Sequence, residues 1–97
     1  MNAIFHPEAH QEMIESARFY EEKSEGLGTD FLTAVENTTR RIEENHEAGL
    51  LERPNIRKRL VSGFPFTVLY EIQTDSIFLA AVMHQQRRPG YWKTRLE

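Results

Sequence analysis

The segment His84-Gln85-Gln86-Arg87-Arg88-Pro89-Gly90-Tyr91-Trp92 gathers a histidine, two arginines and two aromatic residues into nine positions, directly after an apolar run. Upstream, Arg57 and Arg59 alternate with other residues in Asn55–Val61. These types suit RNA cleavage. Attack of a ribose 2′-hydroxyl on its neighbouring phosphate needs a base for the 2′ proton, an acid for the leaving 5′ oxygen, and positive charge on the phosphate oxygens. An imidazole such as His84, with an unperturbed pKa of ~6.5, serves either proton transfer. The guanidinium groups of Arg57, Arg59, Arg87 and Arg88 suit bidentate phosphate contacts, and Tyr91 and Trp92 offer faces for stacking an unpaired base.

The same residues suit a protein-binding surface, because Arg, Tyr and Trp dominate binding hot spots. Each also has a purely structural reading. Tyr91 and Trp92 cover a sheet edge once Pro89-Gly90 turns the chain back, and tryptophan brings a large apolar area to such a role. Arg87 and Arg88 pair with carboxylates of the acidic half, a contact worth only ~0–1 kcal/mol when exposed. His84, at the end of an apolar run, is a satisfied and partly buried histidine. Other chemistries find no support. There are no cysteines, and His6, His10, His46 and His84 lack the spacing of a zinc site. No glycine-rich loop has the strand-to-helix context of a phosphate cradle, and no serine sits in a nucleophile-elbow pattern.

The elements that position these residues are legible in the periodicity. Ala3–Phe5 is a short apolar run that stops at Pro7, which suits the first turn of a helix. Ala9, Met13, Ala17 and Tyr20 recur at helical spacing, "SEGLG" breaks the run, and Leu27, Phe31, Val35, Thr38 and Ile42 renew it. The pattern predicts two antiparallel helices joined by a short glycine-containing loop. The period then changes to two. Phe66–Ile72 alternates, "QTDS" makes a turn, and Ile77–His84 is apolar on both faces, as in a covered strand. With Asn55–Val61 as a further strand, the expected order is β-α-α-β-β-β with a C-terminal tail or one short helix after Pro89. The fold class is α+β, a helical hairpin packed on a small antiparallel sheet.

Ninety-seven residues predict a single domain spanning 1–97. No apolar run reaches the ~20 residues of a membrane span, and no signal-peptide pattern opens the chain, so a cytoplasmic protein is expected. The net charge of −3 conceals a division: residues 1–52 carry −8 and residues 53–97 carry +5. Either the basic half meets an acidic or polyanionic partner, or the two halves offset each other within the fold.

The strings "FHPEA…ARFYEE…GLGTDFL" and "RKRLVSGFPFTVLYEI…IFLAAVMHQQRRPGYWKTR" resemble the RelE/ParE superfamily of bacterial type II toxins, in particular its plasmid stabilisation branch. The resemblance runs from Phe5 to Arg95 and rests on the order of "GLG..F", "FPF.V.Y" and "AV.H..R.PGYW". It implies a growth-inhibiting toxin neutralised by a cognate antitoxin protein, in a hetero-oligomer, with no cofactor and no metal. The superfamily divides by target. ParE-like members poison DNA gyrase by protein contact, and RelE-like members cleave ribosome-bound mRNA. Where RelE-like ribonucleases carry an arginine just before the "V.Y" core, this chain has Thr67, and Gln85 and Gln86 interrupt their basic run. Tyr91 falls where their functional C-terminal tyrosine lies. These departures favour ParE-like inhibition, with Arg57, Arg59, Arg87, Arg88, Tyr91 and Trp92 contacting target or antitoxin. The alternative is a RelE-like endoribonuclease with His84, Arg57, Arg59, Arg87 and Tyr91 catalytic. A further alternative is a degenerate, non-toxic member that retains antitoxin binding.

Overall fold

The computed structural model describes residues 1–97. Strand β1 (Asn2–Phe5) passes through His6 into helix α1 (Pro7–Lys23). His6 caps that helix, its Nδ1 accepting from the Glu8 N–H at 3.0 Å, while Pro7 occupies a position whose missing donor costs nothing. Helix α2 (Leu27–Glu44) begins after Gly26, whose φ of 87° reverses the chain within a few residues. Glu21 of α1 accepts from the N–H groups of Gly26 and Gly28, each at 2.9 Å, so a carboxylate sits on the positive end of α2. The helices meet at Gly28, where a Cβ would run into the Ala17 carbonyl and the Glu21 side chain.

The sheet has five strands in the order β1-β5-β4-β3-β2. Strands β3 (Ile56–Leu60), β4 (Phe66–Ile72) and β5 (Ser76–His84) lie where alternation predicts, and a 3₁₀ turn (Lys93–Leu96) closes the tail. One strand was not expected: β2 (Leu50–Arg53), whose four residues are all exposed and therefore show no burial alternation. It pairs antiparallel with β3 through Pro54-Asn55, where Asn55 takes a left-handed φ of 66°. The added strand reverses the chain once more before β3. Strand β5 accordingly joins β1 in parallel, whereas β2 to β5 are antiparallel to their neighbours.

The helices cover one sheet face. Phe31, Val35 and Ile42 of α2 pack with Val68 and Tyr70 of β4 and with Ile77, Leu79 and Val82 of β5. Burial of each such large side chain is worth roughly 1.5–3 kcal/mol. The other face is covered only by the tail, where Trp92 packs on Ile56, Leu69, Ala80 and Ala81. Strand β5 reads as apolar on both faces because helices cover one and the tail covers the other, and a bulge sets which residues face which side. Leu69 pairs with Ala81 but Tyr70 with Leu79, so Ala80 is skipped and the facing pattern shifts by one.

Candidate functional site: a groove and its fastening

The tail leaves part of its sheet face open. Between β2–β4 and the Arg87–Gly90 loop lies a groove of about 490 Å³, with Leu50, Lys58, Leu60, Thr67 and Met83 along it and Arg87, Arg88 and Trp92 on its tail side. Thr67 is buried in its floor, opposite Leu60 on β3 and Met83 on β5. Lys58 is paired with Glu52 at 3.2 Å. Arg88 is exposed and has no carboxylate within ion-pair distance, so the groove carries an unbalanced positive charge at that end.

The loop and tail that form this wall are fixed by one carboxylate. Glu12 on α1 accepts from the Val82 N–H at 3.0 Å, from the Tyr91 hydroxyl at 2.6 Å and from Arg95 at 2.8 and 3.1 Å. Arg95 also donates to the Ala80 carbonyl at 3.0 Å and lies 3.2 Å from Glu8. The sheet requires this arrangement. Strand β1 ends opposite Leu79, so β5 has no neighbour on that side beyond it. Glu12 and Arg95 take the Val82 donor and the Ala80 acceptor that a longer β1 would otherwise have met.

Burial, the hydrogen bond to Glu12 and the Glu12 charge together push the Tyr91 phenol well above its ordinary value. Burial, the largest single influence, lowers the Arg95 guanidinium, but the hydrogen bond with Glu12 together with the charges of Glu12 and its other neighbours outweighs it and the net direction is upward. The Arg87 guanidinium stacks over the Tyr91 ring at 3.8 Å and lies 3.7 Å from Glu12. Tyr91 thus supports Arg87 from beneath, with its own hydroxyl turned into the protein.

The residues that the sequence singles out do not meet in one place. Arg87, Arg88 and Trp92 share the groove, and His84 borders it from the end of β5. The His84 ring packs edge-on against Phe66, and its Nδ1 accepts from the Gln86 N–H at 3.0 Å. Arg57 and Arg59 project from the opposite, helix-covered face of β3. Arg57 donates to the Gly49 carbonyl at 2.9 Å, while its buried Nε has no partner. Arg59 reaches the Arg41 carbonyl in the last turn of α2 at 3.4 Å, where a cation meets the negative helix end. Glu12 and Arg95 went unremarked as functional supports. One signal was available: Glu12 follows the fully buried Ala9 by three positions, which places a charge beside the buried stripe of α1.

Among solved structures, the chain matches a chain of the "Chromosomal ParDE TA system from P. aeruginosa" with a TM-score of 0.64. Sequence identity is 17%, and the match covers 87% of this chain and 95% of that one. The two share a fold, and the α+β architecture expected from the sequence, a helical hairpin packed on a small sheet, is the one observed. No protein-family model and no curated protein matches the sequence. No helix is long and apolar enough to cross a membrane.

Proposed function

We propose that this protein is the toxin of a type II toxin–antitoxin pair, acting in the cytoplasm by ParE-like inhibition of DNA gyrase and neutralised by a cognate antitoxin. The shared fold supports the general reading. The choice of protein contact over RNA cleavage rests on one observation: Arg57 and Arg59 lie on the helix-covered face of the sheet, whereas Arg88 lines the groove on the other face and Arg87, stacked on Tyr91, stands at the sheet edge beside Glu12 of α1. Phosphate charge in a cleavage reaction calls for cations that converge on one phosphate. Here two of the four instead hold backbone carbonyls of the α2–β2 region. The remaining pair, with Trp92 and Lys58, lines an open groove that fits a protein surface.

Pulsed induction in a bacterial host tests the reading, with mRNA ends and DNA damage followed in one culture. The proposal expects a DNA-damage response while mRNA stays intact. New codon-phased 5′ ends within minutes would replace it with ribonuclease action. Normal growth with abundant folded protein would leave only antitoxin binding.

A further inference from the structure

Glu12, Ser16 and Phe19 form one stripe of α1 that faces the end of β5. Between this stripe, the start of β4 and Arg87 lies a second cleft, of about 350 Å³. It opens on the α1 side of the molecule, and only His84 and Arg87 line both it and the groove. A space of this size holds one small molecule.

The wall of the cleft is aromatic. Phe19, Tyr20, Phe66 and His84 follow one another at ring separations of 5.6, 6.1 and 5.2 Å, each pair edge to face. Phe19, at the outer end of the run, is 54% exposed, so a further ring laid there continues the series and covers it.

The polar groups of the cleft are uncommitted. The Ser16 and Tyr20 hydroxyls are accessible and make no hydrogen bond within the protein. His84 Nδ1 accepts from the Gln86 N–H, so the neutral ring carries its proton on Nε2, which has no protein acceptor. Arg87 is half exposed and makes no hydrogen bond. Its nearest carboxylate, Glu12 at 3.7 Å, is already engaged by Val82, Tyr91 and Arg95. Glu15, exposed at the same opening, holds only the Gln11 amide at 2.9 Å and pairs with no cation. The cleft therefore combines an aromatic wall with a free cation and a free anion. An aromatic amino acid answers all three with its ring, its carboxylate and its ammonium.

We propose that the cleft between α1 and the end of β5 is a binding site for a free aromatic amino acid, with its ring against Phe19 and Tyr20, its carboxylate on Arg87 and His84, and its ammonium on Glu15. The inference stands on the cleft alone and does not depend on the toxin reading. Because Arg87 also lines the groove, a carboxylate bound here engages a guanidinium that the two sites share.

The test titrates the full, isotopically labelled chain with phenylalanine and follows its amide and ring signals. Saturable shifts at Ser16, Phe19 and His84 are expected. Leucine lacks the ring, N-acetylphenylalanine the ammonium and phenylalaninamide the carboxylate, and each should bind about tenfold more weakly or worse. Glu15→Gln should remove the difference between phenylalanine and its N-acetyl form, and Arg87→Gln that between phenylalanine and its amide. Both positions are exposed, and unchanged signals elsewhere in the spectrum check that the variants are folded. No saturable shift at the cleft, equal binding of leucine, or equal binding of either blocked form would each overturn the inference. Tighter binding of adenosine monophosphate than of phenylalanine would overturn it in favour of a nucleotide, which has no ammonium for Glu15. Shifts at Phe19 that grow with protein concentration alone would overturn it in favour of a second copy of this chain.

Discussion

Glu12 and Arg95, 83 positions apart, form a two-pronged ion pair at 2.8 and 3.1 Å that stands where a strand would otherwise continue. Their side chains are 13% and 9% exposed, and the pair takes both a backbone donor and a backbone acceptor of β5. Such a pair is costly to break from one side, because the group left behind remains buried and charged.

Glu12→Ala should therefore lower unfolding stability by about 3 kcal/mol or more. Urea denaturation measures this. A change within ~0.5 kcal/mol would mean that the tail is held by Trp92 alone, since substitutions away from such features have effects of that size.

Tyr91 sets a pH dependence. Its folded-state pKa is raised, so its contribution is complete below the unfolded value of about 10 and is lost as pH rises beyond it. Tyr91→Phe should cost about 1–2 kcal/mol at neutral pH through the lost bond to Glu12. It should also flatten the alkaline decline in stability. Tyr20 and Tyr70 are raised by burial as well, so a residual slope is expected. Stability measured from pH 8 upwards for both proteins provides the check.

The arginines and the tryptophan of the groove should separate cleanly. Trp92 is 3% exposed against Ile56, Leu69 and Ala81, and Trp92→Ala should cost about 3–5 kcal/mol. Arg88→Ala should leave the melting temperature unchanged and reduce toxicity. Arg87→Ala should cost at most about 1 kcal/mol, from its exposed contact with Glu12 and the Tyr91 ring, and also reduce toxicity. Thermal unfolding beside growth curves on induction distinguishes these outcomes.

Arg57 belongs to the other side of the sheet. Arg57→Ala should lower stability by about 1–2 kcal/mol by releasing the Gly49 carbonyl, without a specific loss of toxicity once folded amounts are matched. Matched expression with a growth readout decides it.

How much of this was legible in the chain depends on what each residue answers to. The helices and β3 to β5 were readable because burial writes its period into the sequence: Leu27, Phe31, Val35 and Ile42 on a helix, and Phe66, Val68 and Tyr70 on a strand. Strand β2 was not, because four exposed residues record no buried face and pair only through their backbone. The C-terminal cluster was recognisable as a group, but its division was not. Alternation shows that Arg57 and Arg59 share a face, yet only the sheet order shows that this face lies away from the groove. Glu12 was hidden for another reason: its partners are a backbone amide, a tyrosine and an arginine from the far end of the chain.

The central claim is that the groove meets a protein target and does not cleave RNA. Purified protein incubated with DNA gyrase and supercoiled plasmid tests it most directly, with accumulation of cleaved, gyrase-bound DNA as the readout and Arg88→Ala as the control. Accumulation with the parent protein, reduced in the variant, is the predicted result. An unaffected gyrase reaction, alongside cutting of mRNA on translating ribosomes by the same preparation, would contradict it.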